Sequence, residues 1–183
     1  MATLKGRILY DRKFPSGEIL QITGVKELDW HFKLAKNFEL YELANTQTTD
    51  DIKFIYNNDV NKHTEMMQTL RDRLNQSITV TSWYRTKEFN SRPGINGDKN
   101  SLHLKALATD CWFAKKDEKG KWKPMTDALY KKIETFWKQI CYEYGVIGGI
   151  NRYTHGVHLS SREDMFGYKK FVTRDYRGKT GDW

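Results

Sequence analysis

The chain has 183 residues, 38% of them hydrophobic and 14% aromatic, which suits one domain with a real core and leaves little room for a second. Its 31 Lys and Arg outnumber 23 Asp and Glu, and the formal charge of +8 favours polyanionic partners: nucleic acid, a membrane surface or the anionic polymers of a bacterial wall. No apolar run approaches the roughly 18 residues of a membrane span, the first residues lack a signal-peptide core, and two cysteines without a C-x-x-C spacing exclude a disulfide framework and a cysteine metal cluster.

These features predict a chain made in the cytosol without a signal peptide. Residues 5–22 predict a β-hairpin, with Arg7-Ile8-Leu9-Tyr10 and Glu18-Ile19-Leu20-Gln21-Ile22 flanking a Phe14-Pro15-Ser16-Gly17 turn. His31, between Trp30 and Phe32, is expected as a packed core residue rather than a ligand. Residues 37–43 open a short helix, and 45–51 form a polar loop. From about Asp59 to Asn75, Val60, Met67, Leu70 and Leu74 fall at helical spacing and make one apolar stripe, with Asp59 as N-cap and His63 facing solvent. Residues 77–85 are β-branched and aromatic, hence a strand. It ends in Arg85, placed either to bind a carboxylate through both guanidinium arms or to join a surface ion pair. Residues 86–100 carry the turn signals Arg92-Pro93-Gly94 and Asn96-Gly97-Asp98.

His103 and Asp110 come next, seven residues apart. On a helix that spacing rises about 10.5 Å, too far for two ligands of one ion, and on one straight strand the two point to opposite faces. A tight hairpin turning near Ala106 would set them opposite each other, so joint ligation predicts a hairpin whose second strand is 108–113. Taken alone, such a pair is more often a surface histidine and a loop aspartate. Residues 115–124 read as an exposed charged turn, and 126–144 as a helix burying Leu129, Ile133, Phe136, Trp137, Ile140 and Tyr144, stopped by Gly145. Cys111 and Cys141 sit in apolar patterns, as buried free thiols do. A short strand with the Gly148-Gly149 pair follows, the pair allowing backbone to pass close to a bound peptide, and then a strand with the cluster His155-Gly156-Val157-His158. With one histidine of this cluster, His103 and Asp110 offer two imidazoles and a carboxylate, the ligand set of an open zinc site. The tail from Arg162 is a last strand or a loosely attached end.

Four pieces therefore stand in order: Ser82-Trp83-Tyr84-Arg85, Ser101-x-His103-x6-Asp110, Gly148-Gly149-Ile150-x-x-Tyr153, and Val157-His158. Over roughly residues 37–160 they resemble the zinc D-alanyl-D-alanine carboxypeptidase family, whose pattern reads S-G-Y-R, S-x-H-x-x-G-x-A-x-D, G-G-x-G-x-Y and H. The resemblance implies an α+β fold of the D-Ala-D-Ala peptidase and Hedgehog-like type, a small antiparallel sheet carrying the ligands against helices. It implies one domain, with about 37–160 as peptidase core, 1–36 as an N-terminal hairpin extension and 161–183 as a C-terminal tail. It implies that His103, Asp110 and His158 hold Zn(2+), that Arg85 binds the substrate carboxylate or stabilises the oxyanion, and that Tyr84 and Ser101 contact substrate, Ser101 also supporting the His103 loop. The implied activity is hydrolysis of peptidoglycan stem peptides, by a D,D-carboxypeptidase or an endolysin-type endopeptidase. Without a signal peptide, that activity implies a phage lysis enzyme or a virion component acting on the cell wall. Anionic wall polymers would be further partners, and no motif of nucleic-acid recognition accompanies the charge.

Four departures from the family pattern bear on the base and the pocket. His155 stands three residues before His158, where many members carry Glu or Asp, and is expected either as the general base or as a third imidazole near the metal. Ser160 stands where some short members carry Asp. Trp83 and Ala106 replace glycines: Trp83 is expected to reshape the pocket, and Ala106 to hold its turn at negative φ unless strained. These departures motivate an alternative, a catalytically impaired module of the same fold that binds wall or builds a virion.

Overall fold

A computed structural model of the chain describes residues 2–3, 18–22, 33–44, 52–95, 97–113, 118–120 and 123–179. They fall into two compact units. One holds the described residues up to Gln68 together with Ser82–Ala108, the other Thr69–Thr81 and the described residues from Thr109 onward.

In the first unit, β1 (Ala2–Thr3) runs parallel to β2 (Glu18–Ile22). Glu18–Ile22 is the strand the sequence predicts. The expected first strand and turn of its hairpin, at 7–17, lie outside the described residues, as do His31 and the loop 45–51. β3 (Lys33–Ala35) and β4 (Phe38–Glu39) pair antiparallel and lead into α1 (Leu40–Ala44). The Glu42 side chain reaches back to accept from the Glu39 N–H at 2.8 Å, half of a capping box, which is why the helix starts there. β5 (Ile52–Tyr56) pairs antiparallel with β2, Leu20 opposite Phe54, a partner with no counterpart among the predicted strands.

The helix expected from 59 is α2 (Asn58–Leu74), and all four stripe residues are buried. Its cap is Asn57 rather than Asp59: Asn57 Oδ1 accepts from the Val60 N–H at 3.0 Å. His63 is buried, not solvent-facing, because it lies three residues after Val60 and four before Met67 and so shares the apolar stripe. Thr86 caps the short α3 (Lys87–Asn90). The turns that follow are stitched by Asn90, whose side chain donates to the Asp98 carbonyl at 2.9 Å while its main-chain carbonyl accepts from the Gly97 N–H at 2.9 Å.

The second unit is built on a five-stranded sheet in the order β10-β8-β9-β7-β6. Its strands are β6 (Thr79–Ser82), β7 (Ala108–Trp112), β8 (Gly149–Arg152), β9 (Gly156–Ser160) and β10 (Val172–Asp175). β8 and β9 are antiparallel, with Asn151 opposite His158. The tail is a last strand: β10 adds parallel to β8, so the sheet is mixed. α4 (Asp127–Glu143) is capped by Thr126 and stopped by a Schellman turn, in which Val146 N–H reaches the Cys141 carbonyl, Gly145 N–H the Tyr142 carbonyl, and Gly145 sits at φ +64. Its buried residues are Tyr130, Ile133, Trp137, Ile140 and Cys141, a face turned slightly from the predicted one, since Leu129, Phe136 and Tyr144 are half-buried. The Trp137 indole N–H is shared between the carbonyls of Gly149 (3.0 Å) and Ser160 (3.2 Å), which fixes α4 to the β8–β9 hairpin.

The glycine pair serves this packing. A Cβ at Gly148 would meet Cys141 Sγ and lie 2.5 Å from the Ser160 carbonyl, and one at Gly149 would press on Glu163 and Ser160 at 3.1 Å. Cys111 and Cys141 are both buried free thiols, as expected. The fold is α+β, and among the described residues no helix is long and apolar enough to cross a membrane.

Candidate metal centre

His103 sits on a 3-10 turn, Leu102–Lys105, and not in a hairpin. Ser101 caps the turn, its Oγ accepting from the His103 N–H at 3.3 Å. Ala106 ends it at φ +56, ψ +28, so the position where the family pattern has glycine is left-handed here despite its side chain. Leu107 N–H then bonds the Leu102 carbonyl at 3.0 Å and the chain enters β7. The hairpin expectation fails because these bonds close the turn within six residues, leaving Asp110 on a strand and His103 on the turn before it.

The His103 ring is 2% exposed, and its Nδ1 lies 2.6 Å from the Trp83 carbonyl oxygen. A carbonyl can only accept, so Nδ1 carries the proton and Nε2 keeps its lone pair for a metal. The His103 carbonyl in turn accepts from the N–H groups of Arg85 (3.0 Å) and Ala106 (3.2 Å), which ties the arginine segment to the same turn.

Asp110 and His158 meet on the sheet. His158 Nδ1 lies 2.8 Å from Asp110 Oδ1, with 15% and 8% of the side chains exposed. The Thr81 hydroxyl donates to the Asp110 main-chain oxygen at 3.1 Å, holding the strand that presents the carboxylate. His103, Asp110 and His158 each offer one ligand atom, and these atoms all lie within 4.8 Å of one another. Two nitrogens and one carboxylate oxygen suit a borderline-soft divalent ion, which bonds such donors at about 2.0–2.2 Å. The donor set can therefore hold a metal ion, with two of its three ligands on the sheet.

The other expected site residues are placed as follows. Arg85 is half-buried, and its Nε donates to the Ser82 hydroxyl at 2.8 Å. Tyr84 is 9% exposed, and burial, with Glu88 nearby, raises its phenol above the ordinary value, so it remains a donor at neutral pH. His155 is half-buried in the turn between β8 and β9, its ring tilted 43° to Trp112 with centroids 6.1 Å apart. Trp83 does not line a pocket: it is fully buried, its ring edge-on to Phe38 at 5.9 Å and to His63 at 5.6 Å. Glu163 is a residue that no sequence pattern singles out. It is 3% exposed, accepts from the Ser160 hydroxyl at 2.6 Å and faces Arg174 at 3.5 Å, so a carboxylate is bonded to position 160 from three residues downstream.

Comparison with curated proteins gives no match, and comparison with solved structures gives none. A family model described as Peptidase M15 matches residues 36–160, more than half the chain, and the match spans Tyr84, Arg85 and all three candidate ligands. With that match over a donor set of two histidines and an aspartate, the chain belongs to the peptidase M15 family, the zinc D-alanyl-D-alanine carboxypeptidases.

Proposed function

We propose that the protein is a zinc-dependent peptidase that hydrolyses peptide bonds in bacterial peptidoglycan stem peptides, as a D,D-carboxypeptidase or an endolysin-type endopeptidase. The observation that carries this is the His103–Asp110–His158 donor set, with ligand atoms within 4.8 Å. A bound zinc would supply Lewis-acid chemistry, polarising a peptide carbonyl and acidifying water. The chain supplies the rest. Trp83 fixes the tautomer that leaves His103 Nε2 available. Arg85, oriented through its Nε by Ser82, binds a substrate carboxylate or the developing oxyanion by charge-assisted hydrogen bonds. Tyr84 donates from a phenol that stays protonated, and Ser101 holds the turn beside them. His155 takes a proton at its imidazole nitrogen and delivers it to the leaving amine. The wall is the site of action, reached as a phage lysis enzyme or a virion component, and the formal charge of +8 attracts its anionic polymers.

Two departures favour a second reading. A histidine stands at 155, where many family members carry Glu or Asp, and a serine at 160, where some short members carry Asp, so the same fold without cleavage would serve as a wall-binding or virion module. Mass spectrometry of soluble fragments from purified peptidoglycan, after incubation with zinc-loaded protein and with H158A, decides between them. New peptide termini from the wild type alone are expected, and they identify the bond. Wall-pelleting protein that releases no fragments overturns the peptidase and leaves the module.

A further inference from the structure

Trp83 grips both ends of one short turn. Its main-chain oxygen accepts from His103 Nδ1 at 2.6 Å, and its indole N–H donates to the Ala106 main-chain oxygen at 3.0 Å. Between those contacts lies the turn that presents His103. Ala106 closes it in the left-handed region, which crowds any residue with a Cβ. Ala106 is also fully buried, so its carbonyl depends on partners within the protein. The indole that supplies one is itself aimed by packing, edge-on to Phe38 and to His63, with no surface exposed.

We propose that Trp83 is a positioning residue for the metal centre, its indole N–H holding Ala106 left-handed and thereby setting the His103 imidazole before any ion arrives. Trp83 and Ala106 then act as one device. A glycine at 106 would adopt the conformation unaided, and a side chain without the indole donor at 83 could not hold the alanine there. This rests on His103 being a metal ligand, as argued above.

The test is zinc affinity by competition with a chromophoric chelator, in the wild type, W83F, A106G and W83F/A106G. Phenylalanine keeps a ring between Phe38 and His63 and deletes only the donor. W83F is expected to weaken zinc binding about tenfold, as loss of a partner that orients a metal ligand does. In the A106G background the same change is expected to cost less than about threefold, because the turn no longer needs holding. General loosening of the core would weaken both backgrounds alike, so equal losses overturn the proposal, as does an undiminished affinity in W83F. Failure of the wild type to bind zinc refutes the metal site instead. The device is then read in metal-free wild-type protein by exchange of the Trp83 indole proton, a measurement that also serves if W83F does not fold. Slow exchange is expected, and exchange as fast as that of an exposed tryptophan overturns the clamp.

Discussion

Cys141 lies 2% exposed, and burial pushes its thiol up to about 12. Because the folded state keeps the proton longer than the unfolded chain, this stabilisation is complete below the ordinary thiol pKa of about 8.5 and is lost as pH rises from there toward 12. Between pH 8.5 and 9.5 the loss amounts to about 1 kcal/mol. Urea unfolding at pH 7.5 and 9.5 should therefore show the wild type losing more stability than C141A. Equal losses would mean that the folded protein accommodates the thiolate. Buried thiols were legible in the sequence because cysteines within apolar runs behave as small hydrophobes. Ala106 and His63 were not. The left-handed turn at Ala106 accompanies an indole bond from a residue 23 positions away, and His63 is drawn inside beside Trp83. The three candidate ligands were legible through ordered motifs, whereas the carboxylate bonded to Ser160 comes from Glu163, which no motif marks.

Elements with strong periodicity, α2 and α4, were legible nearly to their ends, because an apolar stripe and a Schellman glycine are local signals. The packing role of the glycine pair was not legible, because it lies in contacts distant along the chain. Gly148 lets the β8 end approach Cys141 on α4 and the Ser160 carbonyl, while Trp137 clamps the neighbouring carbonyls. G148A must displace backbone, not merely a flexible side chain, and should cost about 1–3 kcal/mol. W137F keeps most of the ring but leaves two buried carbonyls short of a donor, a loss of about 1–3 kcal/mol. Both are read by chemical denaturation. His158 lies on β9, the strand these contacts hold, so each variant should also weaken metal binding. A full loss of stability with unchanged metal affinity would show that the hairpin register is set elsewhere.

At the scale of the whole molecule, 31 basic against 23 acidic side chains leave a positive surplus. Acidic groups engaged by arginines do not reduce it further near neutral pH. Arg177 holds Asp175 down to about 2, and Arg152, with Arg177, holds Asp127 below the usual carboxylate range, so both stay ionised until well below neutrality. Pairs whose carboxylate is this exposed add little stability, and their meaning here lies in the charge they leave unchanged. If that surplus draws the protein to an anionic wall, attraction must fall as screening shortens from about 10 Å at 0.1 M salt to about 3 Å at 1 M. Because it resides in the surface and not in the metal centre, the salt dependence should survive in H158A, which lacks a candidate ligand. Co-sedimentation of H158A with purified walls is therefore expected to drop steeply between low and high sodium chloride, in parallel with the wild type. Salt-insensitive sedimentation that vanishes in H158A would instead place the affinity in the stem-peptide site, and the basic surface would then serve only to keep the protein apart from its own copies.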